Sequence, residues 1–281
     1  MDRRLLPARP DLAAAHLQGQ VKADRFVEPV DWQVTAAITA IRRQPCADGP
    51  QETQLLFGEV FAVLDTREGW AWGFSRLDGY VGWVNMAALS APALKATHRV
   101  SALRTYLFSK PDLKSVPHAL LSMNAKICVG ESVGRFVKAG PLGFVFEGHL
   151  APIDDVKPDF VSIAEQFVGA PYQWGGKESA GLDCSGLVQT ALEPAGISVL
   201  RDTDMQEVEL AKRFSAISTD APRQRGDIVF WAGHVGIMVD GDRIIHANAY
   251  FMETVIEPVA ETIRRAVKND SPVTSVIRMS G

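Results

Sequence analysis

Three cysteines in 281 residues are too few and too scattered to staple a fold. Cys46, Cys128 and Cys184 are odd in number and share no short spacing, which excludes a disulfide framework and a zinc knuckle. Cys46 and Cys128 are expected to fill small apolar gaps. Long apolar runs are missing as well. No stretch approaches the roughly 18 consecutive apolar residues of a membrane span. Taking Met1 as the start, the opening residues carry Arg3, Arg4 and Arg9, but only the short apolar pieces Leu5-Leu6 and Ala13-Ala14-Ala15. These do not make the hydrophobic segment of a secretory leader, so the expected location is cytoplasmic. An excess of either charge is also absent. With 29 Lys and Arg against 33 Asp and Glu, the net charge is −4 and both signs are interleaved, leaving no footprint for nucleic acid or an anionic membrane surface. No pattern cues a metal or a cofactor, and none is expected. Nothing in the sequence sets an oligomeric state.

What is present is apolar substance. Hydrophobic residues make up 47% of the chain, enough for a sizeable core, and the length suits two or three domains. Four segments are expected. Residues 1–35 are polar and weakly periodic, a lead-in with a short helix over 11–19 that Asp11 would cap. Residues 36–90 hold short strands over 34–41, 59–65, 69–74 and 81–85, separated by turns such as Leu77-Asp78-Gly79-Tyr80, which predicts a small barrel. After a linker at 91–96, residues 91–152 repeat this texture weakly, with Gly143-Phe144-Val145 standing where Tyr80-Val81-Gly82 stands in the first copy. Residues 153–281 are mixed. Helices are predicted over 158–168, 184–193 and 204–214, the last opened by a Thr203/Gln206 capping box. Strands follow over 227–231, 234–239, 243–248, 254–257 and 273–279. Helices first and an antiparallel sheet afterwards is an α+β order.

One stretch carries chemistry: Leu182-Asp183-Cys184-Ser185-Gly186-Leu187-Val188, followed by Gly233-His234-Val235-Gly236-Ile237 and then His246. Only a thiolate attacks a carbonyl, and a helix N-terminus with a neighbouring imidazolium lowers a thiol pKa. Cys184 at the head of a helix and His234 at the head of a strand supply those two features. Strand alternation puts His234, Gly236 and Met238 on one face and His246 and Asn248 on one face. If the hairpin loop is Val239-Asp240-Gly241 with Gly241 left-handed, His234 falls directly opposite His246, close enough for one ring to orient the other. Taken alone, either histidine reads more readily as an ordinary structural residue; the joint pattern with Cys184 points to a thiol hydrolase.

The runs Tyr172-Gln173-Trp174-Gly175-Gly176, Asp183-Cys184-Ser185-Gly186, Gly226-Asp227-Ile228-Val229-Phe230-Trp231, His234-Val235-Gly236-Ile237 and Ile245-His246-Ala247 resemble the NlpC/P60 peptidases, papain-like cysteine peptidases of the bacterial cell wall. Gly69-Trp70-Ala71-Trp72 and Asp78-Gly79-Tyr80-Val81-Gly82-Trp83-Val84 resemble a bacterial SH3 domain. The implied architecture is a papain-like NlpC/P60 domain preceded by two small SH3-like barrels. This arrangement is similar to the γ-D-glutamyl-L-diamino acid endopeptidases, also called dipeptidyl-peptidase VI. The resemblance implies Cys184 as nucleophile, His234 as general base and acid, and His246 as the orienting residue. Tyr172 and the Cys184 backbone N–H would form the oxyanion site. The implied substrate is a murein peptide, L-Ala-γ-D-Glu-diamino acid, with a free amino terminus. Glu59 in Gln54-Leu55-Leu56-Phe57-Gly58-Glu59, Tyr80, Asp183, Ser185, Asp202 and Thr203 are then its candidate binding residues. Each also has a plain structural reading: a strand end, barrel packing, a turn or a helix cap. Two other functions stay open: a secreted hydrolase that cuts intact stem peptides, and a non-catalytic wall-binding protein, whose mark would be a broken catalytic set.

Overall fold

The computed structural model describes residues 2–279 and divides into two units, Met1–Ile153 and Asp154–Gly281. The reading of Met1 as the start of the chain lies outside the described residues.

The first thirty residues are more than a lead-in. Two short strands, β1 (Ala13–Ala14) and β2 (Phe26–Val27), pair in parallel, and a three-residue 3-10 turn at Ala15–Leu17 replaces the helix expected over 11–19. Asp11 caps nothing; its carboxylate accepts from the Arg9 guanidinium at 3.0 Å. Leu12, Ala14 and Leu17 are buried against Leu64, Trp72 and Trp83.

That contact follows from the alternation of the first β module. Its strands are β3 (Val30–Val34), β4 (Ile38–Arg42), β5 (Gln51–Leu56), β6 (Val60–Arg67), β7 (Trp70–Ser75), β8 (Val81–Asn85) and β9 (Leu89–Ser90). They join in one antiparallel sheet of order β5-β4-β8-β7-β6-β3-β9. The run expected over 34–41 is split by a turn between β3 and β4. Along β7 and β8, Ala71 and Val84 point into the barrel core with Phe61, Val63 and Tyr80. The large rings Trp70, Trp72, Phe74 and Trp83 point to the other face, where the N-terminal segment covers them.

The second module uses β10 (His98–Val100), β11 (Arg104–Phe108), β12 (Pro117–Ser122), β13 (Lys126–Ile127), β14 (Val129–Val133), β15 (Phe136–Ala139), β16 (Phe144–Phe146) and β17 (Leu150–Pro152). Its pairings are those of the first module in the same sequence order. The pairs β4/β5, β4/β8, β7/β8 and β3/β9 correspond to β11/β12, β11/β16, β15/β16 and β10/β17. The long strand β6 is matched by β13 and β14, interrupted at Cys128. Each module ends in a 3-10 turn before its last strand, Met86–Ala88 and Glu147–His149. The register corrects the expected alignment by two residues: Gly143 stands where Gly82 stands, not Tyr80. A Cβ added at Gly82 would lie 2.7 Å from the Arg42 carbonyl oxygen, and one at Gly143 would lie 2.4 Å from that of Phe108. Neither remaining cysteine is fully buried, and Cys46 is exposed, so it fills no apolar gap.

The second unit places its helices before its sheet. Helix α1 (Phe160–Glu165) is shorter than the span 158–168, because Asp159, accepting from the Ser162 N–H at 3.1 Å, caps it. A small hairpin, β18 (Lys177–Glu178) and β19 (Gly181–Leu182), leads into α2 (Cys184–Leu192), all nine residues of which are buried. Pro194 ends it in a 3-10 turn, Glu193–Ala195. Helix α3 (Thr203–Arg213) starts at Thr203 itself, with Asp202 at the N-cap and no side-chain cap bond. Gln206 does not reach back as a capping box requires; its amide donates to the Ser185 and Leu200 carbonyls, both at 2.9 Å. The sheet has the order β20-β25-β21-β22-β23-β24, with β20 (Ser215–Ile217), β21 (Asp227–Trp231), β22 (His234–Met238), β23 (Arg243–Asn248), β24 (Glu253–Pro258) and β25 (Val273–Arg278). Helix α4 (Val259–Val267) intervenes before β25 and was not expected. Val259, Ile263 and Ala266 pack it on the sheet, a 3.6-residue spacing that was readable in the sequence. Among the described residues no helix is long and apolar enough to cross a membrane.

Candidate active site

Asp183 fixes the start of α2. Its Oδ1 accepts from the Gly186 N–H at 2.7 Å, which makes it the N-cap and puts Cys184 first in the helix. Its Oδ2 accepts from the Gly175 N–H at 2.8 Å, tying in the preceding loop. Arg201, 1% exposed, closes on both oxygens with two bonds of 2.9 Å and reaches the Ser185 hydroxyl at 2.7 Å and the Gly176 carbonyl at 2.9 Å. Asp183 and Ser185 therefore face a buried guanidinium. The carboxylate's acceptor sites are filled from the scaffold, which leaves it no capacity for a ligand. Arg201 is the residue that sequence reasoning passed over here; a charged residue amid the loop before α3 was the only signal.

Thr203, also nearly buried, has its hydroxyl oxygen 3.8 Å from the Cys184 sulfur. The N-termini of α2 and α3 thus meet at the thiol. The Val235 N–H also points at this sulfur, which seats Cys184 beside the start of β22. The thiol pKa nevertheless moves opposite to expectation, pushed up to about 11 by burial and then by the Asp183 carboxylate; Thr203, the Val235 N–H and Arg201 pull the other way without prevailing. The resting group is a neutral thiol. Tyr172 is half-buried, and burial, with the negative charge a Cys184 thiolate and Asp183 present, raises its phenol above the ordinary value. It therefore stays protonated, as a donor must.

The histidines are placed by two turns. Trp231 pairs with His234 across a two-residue turn, so His234 is the first residue of β22. The β22–β23 loop is Asp240-Gly241-Asp242, since the Val239 N–H donates to the Arg243 carbonyl and Ile237 pairs with Ile245. Asp240 organises it by accepting from the N–H groups of Asp242 and Arg243. Gly241 has no positive φ, and the register differs from the expected one: continued along the strands, it sets Gly236 opposite His246 and Asn248 opposite His234. The two imidazoles are diagonal neighbours on one face and still meet, His234 Nε2 lying 2.8 Å from His246 Nδ1. Gly236 leaves the space: a Cβ there would stand 2.7 Å from Ile244 and 3.2 Å from the His246 Cβ.

Beyond His246 the row continues. The fully buried His246 ring reaches Glu257 Oε1 through Nε2 at 2.9 Å, and the same oxygen accepts from the Thr262 hydroxyl at 2.9 Å and from Arg265. Burial raises the Glu257 pKa, but bonds from His246, Arg265 and Thr262 prevail and hold it at about 2. Burial and then His246 bring His234 down to about 3, a neutral imidazole. Glu257 was missed because β24 carries no motif; its position directly across from Ile244, two residues from Val255, the partner of His246, was invisible without the register.

Glu59 and Tyr80 lie in the first module. Glu59 is buried in the turn before β6, where its carboxylate accepts from the Leu56 N–H at 3.1 Å. Tyr80 is buried in the barrel core with its hydroxyl 3.5 Å from Glu52. Asp202, half-buried, does not cap α3 with its side chain. Among the described residues no group of His, Cys, Asp and Glu is arranged to hold a metal ion.

A cysteine at a buried helix start faces the strand that carries the first of two hydrogen-bonded imidazoles, an arrangement suited to thiol chemistry. Two family models match the chain: "Bacterial dipeptidyl-peptidase Sh3 domain" over residues 41–89 and "NlpC/P60 family" over residues 169–266. The chain carries an NlpC/P60 domain, of a family of cysteine peptidases, behind a bacterial SH3 domain. It is 29% identical over 241 residues to the gamma-D-glutamyl-L-lysine dipeptidyl-peptidase of Bacillus subtilis (strain 168), covering 78% of this chain and 79% of that one. Dipeptidyl-peptidase 6 of Lysinibacillus sphaericus is 34% identical over 92 residues, about a third of each chain (33% and 32%). The crystal structure of an NlpC/P60 family protein from Bacillus cereus ATCC 10987 shares the fold, with a TM-score of 0.70 at 18% identity over 82% of this chain and 94% of that one.

Proposed function

We propose that this protein hydrolyses the γ-D-glutamyl–diamino acid bond of murein peptides that carry a free N-terminal L-Ala, in the recycling of released peptides. The observation that carries the reading is the row Glu257–His246–His234, which ends on the strand whose Val235 N–H points at the Cys184 sulfur. A likeness to a gamma-D-glutamyl-L-lysine dipeptidyl-peptidase over 78% of this chain supports the substrate class. The second β module is read as a diverged copy of the SH3-like barrel, on the strength of its matching strand pairings.

The row fixes where protons sit. Glu257, ionised, only accepts, so His246 Nε2 donates to it and His246 Nδ1 is left as an acceptor. His234 Nε2–H donates to that nitrogen, which leaves His234 Nδ1 as the basic atom. With thiol and imidazole both neutral at rest, the proton moves from Cys184 to His234 as the sulfur adds to the γ-carbonyl carbon. The developing oxyanion is taken by the Cys184 N–H at the head of α2 and by the Tyr172 hydroxyl. The C–N bond then breaks as His234 returns the proton to the leaving amine. Water, deprotonated by the same imidazole, releases the thioester. Asp202 is the carboxylate of the catalytic unit assigned to the substrate ammonium. Thr203, touching the thiol, sits beside the same end. Glu59 and Tyr80 stand as the first module's candidates for that ammonium, by resemblance.

Product analysis by mass spectrometry on L-Ala-γ-D-Glu-L-Lys and its N-acetyl form tests this. The free-amine peptide is expected to be split into L-Ala-D-Glu and lysine, and the acetylated one to resist. Equal cleavage of both removes the ammonium claim, and turnover by Cys184→Ala removes the mechanism. Digestion of purified sacculi separates this reading from a hydrolase of intact wall, and cell fractionation decides the compartment. The unbroken row from Glu257 to His234 speaks against a purely wall-binding role.

A further inference from the structure

A cavity of about 450 Å³ is lined by His234 together with Trp231, Tyr250, Arg265, Lys268 and Asn269 among others. That volume admits a small ligand such as a diamino acid and leaves no room for a long peptide. None of its lining residues is acidic, and two, Arg265 and Lys268, are basic. Arg265 is held in place, bonded to Glu257 on one side and stacked over the Tyr250 ring at 4.9 Å. Lys268 stands exposed just past the end of α4. The C-terminal end of a helix repels anions, but here its last carbonyls are already occupied: Ala266 accepts from the Asn269 and Ser271 N–H groups, and Val267 from that of Asp270.

His234 lines this cavity, and in the proposed reaction it must hand a proton to the departing amine. The departing residue therefore has to lie within reach of this wall. From this juxtaposition the structure assigns the cavity to the leaving diamino acid, with its free α-carboxylate set against Lys268 and Arg265. The assignment rests on the substrate reading above and sharpens it. A peptide that continues past the diamino acid would bring a neutral amide where the cavity offers charge. The preferred substrate then ends at the diamino acid, and a hydrolysis that trims the residues beyond it must supply that substrate.

The test compares kcat/KM for L-Ala-γ-D-Glu-L-Lys and its C-terminal carboxamide in the wild type, Lys268→Gln, Lys268→Arg and Lys268→Glu. The wild type is expected to favour the free acid by about tenfold, the scale of one charge-assisted contact. Lys268→Gln should bring the ratio close to one, Lys268→Arg should keep it, and Lys268→Glu should invert it. The same ratio in all four proteins overturns the assignment while leaving the substrate reading intact. Failure of the wild type to cleave either peptide overturns both.

Discussion

Two acid–arginine pairs serve the site, one behind the thiol and one behind the histidines, and they differ in what they organise. Asp183–Arg201 is almost wholly withdrawn from solvent, with side chains 9% and 1% exposed, and its bonds go mainly to backbone: Gly175, Gly186 and Gly176. It holds the loop and helix that present Cys184. Glu257–Arg265 is half open on its arginine side, and its acid is bonded to a ring nitrogen. It holds protons rather than chain. The same chemical pairing thus fixes geometry on one side of the site and tautomers on the other. The Asp183 charge even opposes ionisation of the thiol that it positions.

The largest effect is expected at the first pair. Asp183→Ala leaves the Arg201 charge buried and unpaired, and should cost about 3–5 kcal/mol of stability in urea unfolding, with activity lost alongside. Glu257→Gln should instead reduce kcat by about a hundredfold with KM nearly unchanged, and should lower stability by less than Asp183→Ala does, because proton placement fails while Arg265 can still turn to solvent. Equal stability losses in the two variants would break the contrast. A smaller effect is expected in acid. Burial holds the folded pKa of His234 below its free value, so the unfolded chain takes up a proton that the fold refuses. Its contribution is complete above about 6.5 and is lost as pH falls towards about 3. The depressed pKa of Glu257 stabilises above about 4.5, and that contribution is lost as pH falls towards about 2. Denaturation followed against pH should therefore flatten between 6.5 and 3 in His234→Asn, and only below 4.5 in Glu257→Gln. The smallest effect is kinetic. Iodoacetamide at neutral pH should label exposed Cys46 first and Cys184 slowly, the latter accelerating as pH rises towards about 11. Faster labelling of Cys184 at neutral pH would mean that a thiolate already exists at rest.

Much of this was legible in the sequence because its signals were local. Asp183 before an apolar run marked the start of α2, and Trp231 and His234 bracketed a tight turn. The strands that carry His234 and His246 were readable from alternation to within a residue. What stayed hidden depended on pairing. The shift of the hairpin loop to Asp240-Gly241-Asp242 changes which residue faces His234, and no composition rule reports it. Glu257 and Arg201 act across more than ten residues of chain and belong to no motif. The second β module keeps its strand order while losing the aromatic turn that made the first one readable. Its topology is enforced by backbone pairing, which many side chains satisfy.

The aromatic outer face of the first module has a practical corollary. A shortened version of the chain that began at β3 would strip Leu12, Ala14 and Leu17 from Trp72 and Trp83, and would remove the Arg9 guanidinium stacked 4.2 Å over the Trp72 ring. The bared indoles would form a sticky patch on an otherwise intact barrel, inviting self-association. What reads as a dispensable tail is, in effect, the waterproofing of that domain.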